Sequence, residues 1–285
     1  YTTLFRSHPT GFMYLKEFRL DPFPTFLYVL DDIHIEKKIF MVYDSDTVVV
    51  TYSIVQGASE VMLKLRPLIA FRSYHALTKK DETLRKKYTA RDRTVIVHPF
   101  PDVPPLYFAH DGIMIEGTGL WYFNFNYGKE KERGFDANED LFNPFEMTYY
   151  LTTDKPVYCV ASLEEIPTTG FYTFEQRETV RRQQSVIEYK QNAGGPHKKD
   201  MMSTAFDCLL NASGAFLVKN QGEINGIRAG YPWFEERLCD SLLSLPGCTL
   251  VPGRYDVARA VLKRYVSFMK KGELPSYISE QTSLP

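Results

Sequence analysis

Apolar residues change their spacing part-way along this chain, and no single regular element accommodates both spacings. Up to about residue 170 they alternate; beyond about residue 198 they return every three or four positions. Side chains on a strand point to opposite faces in turn, whereas a helix lines one face at about 3.6 residues per turn. The sequence therefore predicts α+β architecture in more than one domain: antiparallel sheets over residues 1–170, a connecting helix and loop over 171–198, and helices over 199–285, with no strand beyond Met201.

In the first region, Ile33–Val42 and Thr47–Val55 read as strands joined through Asp44-Ser45-Asp46. Val61–Arg72 alternates until Pro67 interrupts it, which suggests an edge or a bulge. Arg93–His98 is a further short strand. Leu106–His110 and Ile113–Glu116 flank Asp111-Gly112, the strongest two-residue hairpin signal in the chain. Leu120–Phe125, Glu146–Leu151 and Val157–Ala161 complete the set. Many short strands with turn signals between them fit a β-sandwich. Tyr172–Lys190 is charged at helical spacing and reads as a solvated connecting helix. Gln191–Lys199, with Gly194-Gly195-Pro196, breaks the composition and marks a boundary. Beyond it, Met202, Ala205, Phe206, Leu209 and Leu210 make a helical stripe that Phe216 and Leu217 extend. Asp240–Val251 is apolar nearly all round, as in a buried helix, with a kink expected at Pro246. Asp256 is placed to cap a third helix running to Lys271, which Gly272 stops. Three helices do not close such a core, and the first residue is Tyr1, so the chain reads as an internal fragment.

Composition narrows the function classes. A hydrophobic content of 44% supports a sizeable core, and a net charge of -1 gives no field that favours nucleic acid or an anionic membrane. No apolar run reaches the roughly 18 residues that a membrane span needs. Cys159, Cys208, Cys239 and Cys248 show neither zinc spacing nor a disulfide framework, and a reduced, cytoplasmic setting fits. Nucleotide fingerprints and serine-nucleophile motifs are absent; Gly117-Thr118-Gly119 is too short to count as one. No cofactor or metal is expected. The 14% aromatic content suits pleated surfaces and also sugar-stacking platforms.

The densest chemistry lies in Ala229-Gly230-Tyr231-Pro232-Trp233-Phe234, followed by Asp240 and Leu245-Pro246-Gly247. A carboxylate at the head of an apolar helix, just after two aromatic rings, has two readings. One is a first-turn acid stabilised by the helix dipole. The other is a general acid for glycoside hydrolysis, its pKa raised by burial beside Trp233 and Phe234. Inversion would need a second carboxyl about 6.5–9.5 Å away. Glu235 or Glu236, close by in sequence, could be that partner carboxylate. Arg237 is a donor to sugar hydroxyls or a partner that holds Asp240 ionised. Asp136-Ala137-Asn138-Glu139-Asp140-Leu141-Phe142-Asn143-Pro144 reads as a turn stabilised by Asx side chains.

The Tyr-Pro-Trp-Phe run, the Asp240-Ser241 step and the Leu-Pro-Gly turn resemble the opening of the catalytic domain in bacterial glycogen debranching enzymes of the amylo-alpha-1,6-glucosidase type. There the step reads Arg-Asp-Thr; here Cys239 replaces the Arg and Ser241 the Thr. Leu65–Ser73 and Glu130–Leu141 resemble signatures of that family's amino-terminal domain, and His8-Pro9-Thr10-Gly11 with Tyr14-Leu15 matches less specifically. The resemblance implies a β-sandwich followed by the first helices of a truncated (α/α)6 barrel. It implies inverting removal of alpha-1,6-linked glucose from branched alpha-glucans such as glycogen or limit dextrin, without a cofactor. It puts the general acid on Asp240, with Tyr231 and Trp233 shaping the glucose subsite, and implies that Glu235 and Glu236 are solvated or substrate-rim residues. The family's base is a Glu later in the barrel, so the fragment alone is expected to be inactive and prone to associate. A catalytically silent glucan-binding or scaffold protein, or a related barrel hydrolase acting on another oligosaccharide, is the alternative.

Overall fold

A computed structural model describes residues 2–3, 6–7, 10–20, 22–57, 59–73, 76–167, 170–192, 201–220, 222–231 and 234–278. They form two compact units, Tyr1–Glu178 and Thr179–Pro285. The boundary loop expected at Gln191–Lys199 lies largely outside the described residues.

The first unit opens on a short hairpin, β1 (Thr2–Thr3) and β2 (Arg6–Ser7). There follow β3 (Leu15–Leu20), β4 (Pro24–Leu30), β5 (Ile33–Met41), β6 (Thr47–Gln56) and β7 (Glu60–Leu65). Next come β8 (Tyr88–Arg91), β9 (Thr94–Val97), β10 (Leu106–His110) and β11 (Met114–Asn126). A short helix α1 (Gly128–Glu132) leads to β12 (Asn138–Thr152) and β13 (Val157–Ser162). Eight strands pair antiparallel in the order β3-β4-β5-β6-β13-β10-β9-β8, and three in the order β11-β12-β7.

Period-two alternation sorts the core. On β13, Val157 and Cys159 face a cluster with Phe142, Phe145, Met147, Tyr149 and Leu151 of β12, so the two sheets share one interior. Tyr158 and Val160, which alternate with them in sequence, point the other way and pack with Phe23, Phe40, Val49 and Phe171. That second layer is closed by the turn Phe171–Thr173, which leads into α2 (Phe174–Asn192).

Several local expectations are corrected. Asp111-Gly112 makes no hairpin: β10 pairs with β9 and β13, and β11 with β12. The dipeptide carries the chain from one sheet to the other. Its aspartate accepts the Tyr158 N–H at 2.7 Å instead of turning on itself. Gly112 is needed for close approach, since a Cβ there would lie 3.0 Å from the Thr148 carbonyl and 3.3 Å from the Tyr149 ring. Ile113–Glu116 and Leu120–Phe125 merge into the single strand β11, bulged between Gly117 and Leu120 and again between Tyr122 and Phe125. Asp136–Pro144 is not a turn for most of its length, because β12 begins at Asn138. Pro144 is tolerated there because it sits opposite the first bulge, where no ladder N–H is called for. Strands β3, β4 and β8 carry no clear alternation and were not expected.

The two amino-terminal segments singled out by resemblance meet along β12. Lys64 and Arg66 bond the buried Glu146 at 2.7 and 2.6 Å. Asn143 donates to the Pro67 carbonyl at 2.8 Å, and Ile69 bridges Phe142. Arg72 grips the fully buried Glu139 with Nε and Nη2, the latter at 3.0 Å, while Tyr127 Oη and the Thr78 N–H donate at 2.6 and 3.2 Å. Asp140 accepts the N–H groups of Lys80 at 3.1 Å and Asn124 at 3.0 Å. A buried charge is tolerated only when paired and hydrogen-bonded in this way.

The second unit contains the later turns of α2, then α3 (Met201–Ser213), β14 (Leu217–Asn220), β15 (Glu223–Ile227), β16 (Glu236–Arg237), α4 (Leu238–Leu245), α5 (Tyr255–Ser267) and β17 (Tyr277–Ile278). The expectation of helices alone beyond Met201 is thus overturned. The stripe does not continue through Phe216 and Leu217, because a 3-10 turn at Gly214–Phe216 ends the helix. Leu217–Ile227 then folds back as a hairpin round Gly222, whose φ of +86° suits glycine. Pro246 produces no simple kink. Lacking an N–H, it opens the ladder into a π-turn, Pro246–Leu250, closed by the Val251 N–H on the Pro246 carbonyl at 2.9 Å. Asp256 is the second residue of α5, not its cap, and α5 stops at Ser267 rather than Lys271. Lys271 and Gly272, both at positive φ, make the following two-residue reversal.

Glu139 yields a pH-dependent prediction. Burial alone would raise its pKa, but the bonds from Arg72, Tyr127 and the Thr78 N–H outweigh it and hold the carboxyl below 4.5. A depressed folded-state pKa contributes stability above the unfolded value, and that contribution is lost as pH falls through the folded one. Urea unfolding between pH 7 and pH 3 (about 4 units) should therefore lose stability more steeply in the wild type than in Glu139→Gln. Equal slopes would refute the linkage.

Candidate active site

The residues singled out near Asp240 are displayed by a strand, a tight loop and a helix start. β15 ends at Ile227, and the chain reverses between Gly230 and Phe234. The reversal is closed by the Phe234 N–H on the Gly230 carbonyl at 2.8 Å and the Ala229 N–H on the Glu235 carbonyl at 3.1 Å. Pro232 and Trp233 lie outside the described residues, so the expected neighbourhood of Asp240 and Trp233 is not described either. Tyr231 is exposed. Its ring lies 6.0 Å from that of Phe216, with the Arg228 guanidinium 5.3 Å from its centroid. Phe234 is exposed too, and Arg237 lies 5.4 Å from its ring centroid.

Arg237 is the N-cap residue of α4 and makes no side-chain cap bond. Asp240 is the third helical residue rather than the first, and Arg237 Nε lies 3.4 Å from its Oδ2. Burial of this acid was expected; 48% of its side chain is exposed. An acid in the first turn is favoured by the helix dipole, and exposure leaves its carboxyl open to an incoming ligand. Cys239 beside it is exposed as well.

Glu236 corrects the sequence reading more sharply. Expected to be solvated or at the substrate rim, it is buried. Oε2 accepts Arg264 Nη1 at 2.6 Å and Tyr265 Oη at 3.2 Å, and Oε1 accepts Asn220 Nδ2 at 3.3 Å. Glu235, its neighbour, is half-buried. Around this hub pack Ile227, Leu238, Leu245, Ala258, Val261, Tyr265 and Ile278. Gly226 makes the room: a Cβ there would fall 2.5 Å from Glu236 Oε1. The signal present in the sequence was this glycine in the middle of the strand Glu223–Ile227, where it marks a close approach.

A cavity of about 360 Å³ lies elsewhere, in the first unit, between Arg91, Asp92, Thr94, Glu165, Ile166 and Pro167. Arg91 and Glu165 pair across it at 2.8 Å, which uses up its main charges. Among the described residues no group of three His, Cys, Asp or Glu side chains could hold a metal ion, and no helix is long and apolar enough to cross a membrane.

Both units match models of known protein families. Residues 4–158 match the family model described as glycogen debranching enzyme N terminal, and residues 211–284 match that described as amylo-alpha-1,6-glucosidase. No curated protein matches the chain. The chain belongs to the glycogen debranching enzyme family, a family of glucan hydrolases.

The packing round Glu236 predicts that Gly226→Ala destabilises the protein by about 1–3 kcal/mol, the usual range for overpacking. Chemical denaturation measures it, and an unchanged midpoint would show that the carboxylate moves aside freely.

Proposed function

We propose that the intact protein is an inverting glycoside hydrolase that removes alpha-1,6-linked glucose at branch points of glycogen-like glucans, with Asp240 as general acid. The observation that carries this reading is the position of Asp240 within the amylo-alpha-1,6-glucosidase match. There it is exposed on the first turn of α4, directly after the loop bearing Tyr231 and Phe234. Arg237, on the same turn, is placed to donate to sugar hydroxyls, and Tyr231 with Trp233 shapes the glucose subsite. Inversion pairs this acid with a carboxylate base that activates water on the opposite sugar face. On this reading 199–285 belongs to an (α/α)6 barrel, which the match over 211–284 supports, 1–170 is the sandwich, which the match over 4–158 and its antiparallel sheets support, and 171–198 is the link. Four free cysteines fit a reducing, cytoplasmic setting.

Asp240→Asn keeps the side chain's shape and removes its proton. In the intact protein it should lower glucose release from a branched limit dextrin by about 10²- to 10⁴-fold, the usual contribution of a positioned acid. Full activity in that variant would exclude the assignment.

Cys239 favours a second reading, a catalytically silent glucan-binding protein, because a thiol cannot supply the forked donors of the arginine that the family places there. Binding of dextrin without glucose release would support it. If the arginine normally orients substrate or acid, Cys239→Arg should raise turnover. Unchanged or lower turnover would mean that the site has repacked around the thiol or never used that arginine.

A further inference from the structure

We propose that Glu236 is a positioning residue for Asp240, fixing where α4 presents the acid; the proposal rests on the reading of Asp240 as that acid. Asp240 is poorly held through its own side chain. Its ion-pair partner Arg237 is 55% exposed and lies on the same helical turn. Two exposed side chains on one turn fix little, since such pairs are weak and screened. The carboxyl therefore takes its place from the backbone of α4, and that backbone is anchored from Glu236.

Glu236 stands four residues before Asp240, on the short strand that runs directly into the helix. Arg264 and Tyr265 bring α5 to its carboxylate, and Asn220 brings the end of β14. Tyr265 Oη also accepts the Ile227 N–H at 3.2 Å, and Ser241 Oγ, one residue past Asp240, donates to the Ile227 carbonyl at 2.7 Å. The Leu238 N–H donates to the Ser276 carbonyl at 3.1 Å. Residues on both sides of Asp240 are thereby tied to one strand end and one helix, with the buried charge at the meeting point. A buried ion pair is an indifferent source of stability beside a well-packed apolar core. Its directional bonds, however, set the position of a helix start, and a misplacement of about 1 Å at a reacting group costs about 10²-fold in rate.

The test compares two substrates in the intact protein. An alpha-1,6-branched dextrin needs its leaving oxygen protonated, whereas alpha-glucosyl fluoride leaves as fluoride with little help from an acid. Glu236→Gln should lower kcat on dextrin by about 10- to 100-fold, with KM within about twofold and turnover of the fluoride within about threefold. Tyr265→Phe keeps the ring but removes both the bond to Glu236 and the acceptor of the Ile227 N–H, two ties of the same network, and should give the same split at smaller size. It decides the matter if Glu236→Gln does not fold. Asp240→Asn, run alongside, must show the split most strongly; if it does not, the acid assignment itself fails. If Asp240→Asn shows it while Glu236→Gln or Tyr265→Phe slows both substrates equally, or neither, Glu236 is a structural residue only and the positioning role is refuted.

Discussion

A carboxylate taken out of water must be met by donors, and each unit of this chain buries at least one that is met in this way. In the first unit Glu139 draws Arg72, Tyr127 and the Thr78 backbone onto β12. In the second, Glu236 draws α5, β14 and the entrance to α4 together. Each is stable in the interior because its partners replace the water it has lost. The partners come from distant parts of the sequence, so each acid demands a particular tertiary arrangement. The apolar clusters supply most of the driving force for collapse; the carboxylates restrict which collapsed arrangement satisfies every group.

These same acids mark where sequence reasoning stopped. Period-two alternation was legible where a strand has one face more buried than the other, as on β6, because burial imposes that spacing. It was silent on β3, whose side chains are mostly exposed and carry no alternation. The strongest turn signal misled, since Asp111 and Gly112 answer to Tyr158, Thr148 and Tyr149 rather than to each other. An acid followed by glycine looks the same in sequence whether it closes a hairpin or passes between sheets. Glu236 was legible only as a charge next to another charge. Its burial depends on Arg264, Tyr265 and Asn220, and no local pattern announces partners that far apart.

Around Asp240 the sequence supplied the residues and their order, while the geometry altered how they work. A buried acid would gain its protonated state from desolvation. This one is half-exposed, with a guanidinium nearby. If Asp240 is the proposed acid, it acquires a dry environment only when a ligand covers it; Tyr231 and Phe234 are both open to solvent. Arg228 and Arg237 lie over those two rings in cation–π contact.

The place of β13 in the larger sheet bears on how the chain acquires its structure. β3 to β6 form one run of neighbouring strands and β8 to β10 another, and β13 is the strand that joins them. Thr47 pairs with Ser162, so the join closes a loop of more than a hundred residues. Each run can zip up locally, but the closure waits for the last strand of the unit. Contacts so distant in sequence slow folding, and unpaired strand edges are exposed meanwhile. During synthesis β6 and β10 would therefore stand open until Val157–Ser162 leaves the ribosome. Chaperone occupancy is to be looked for in that interval.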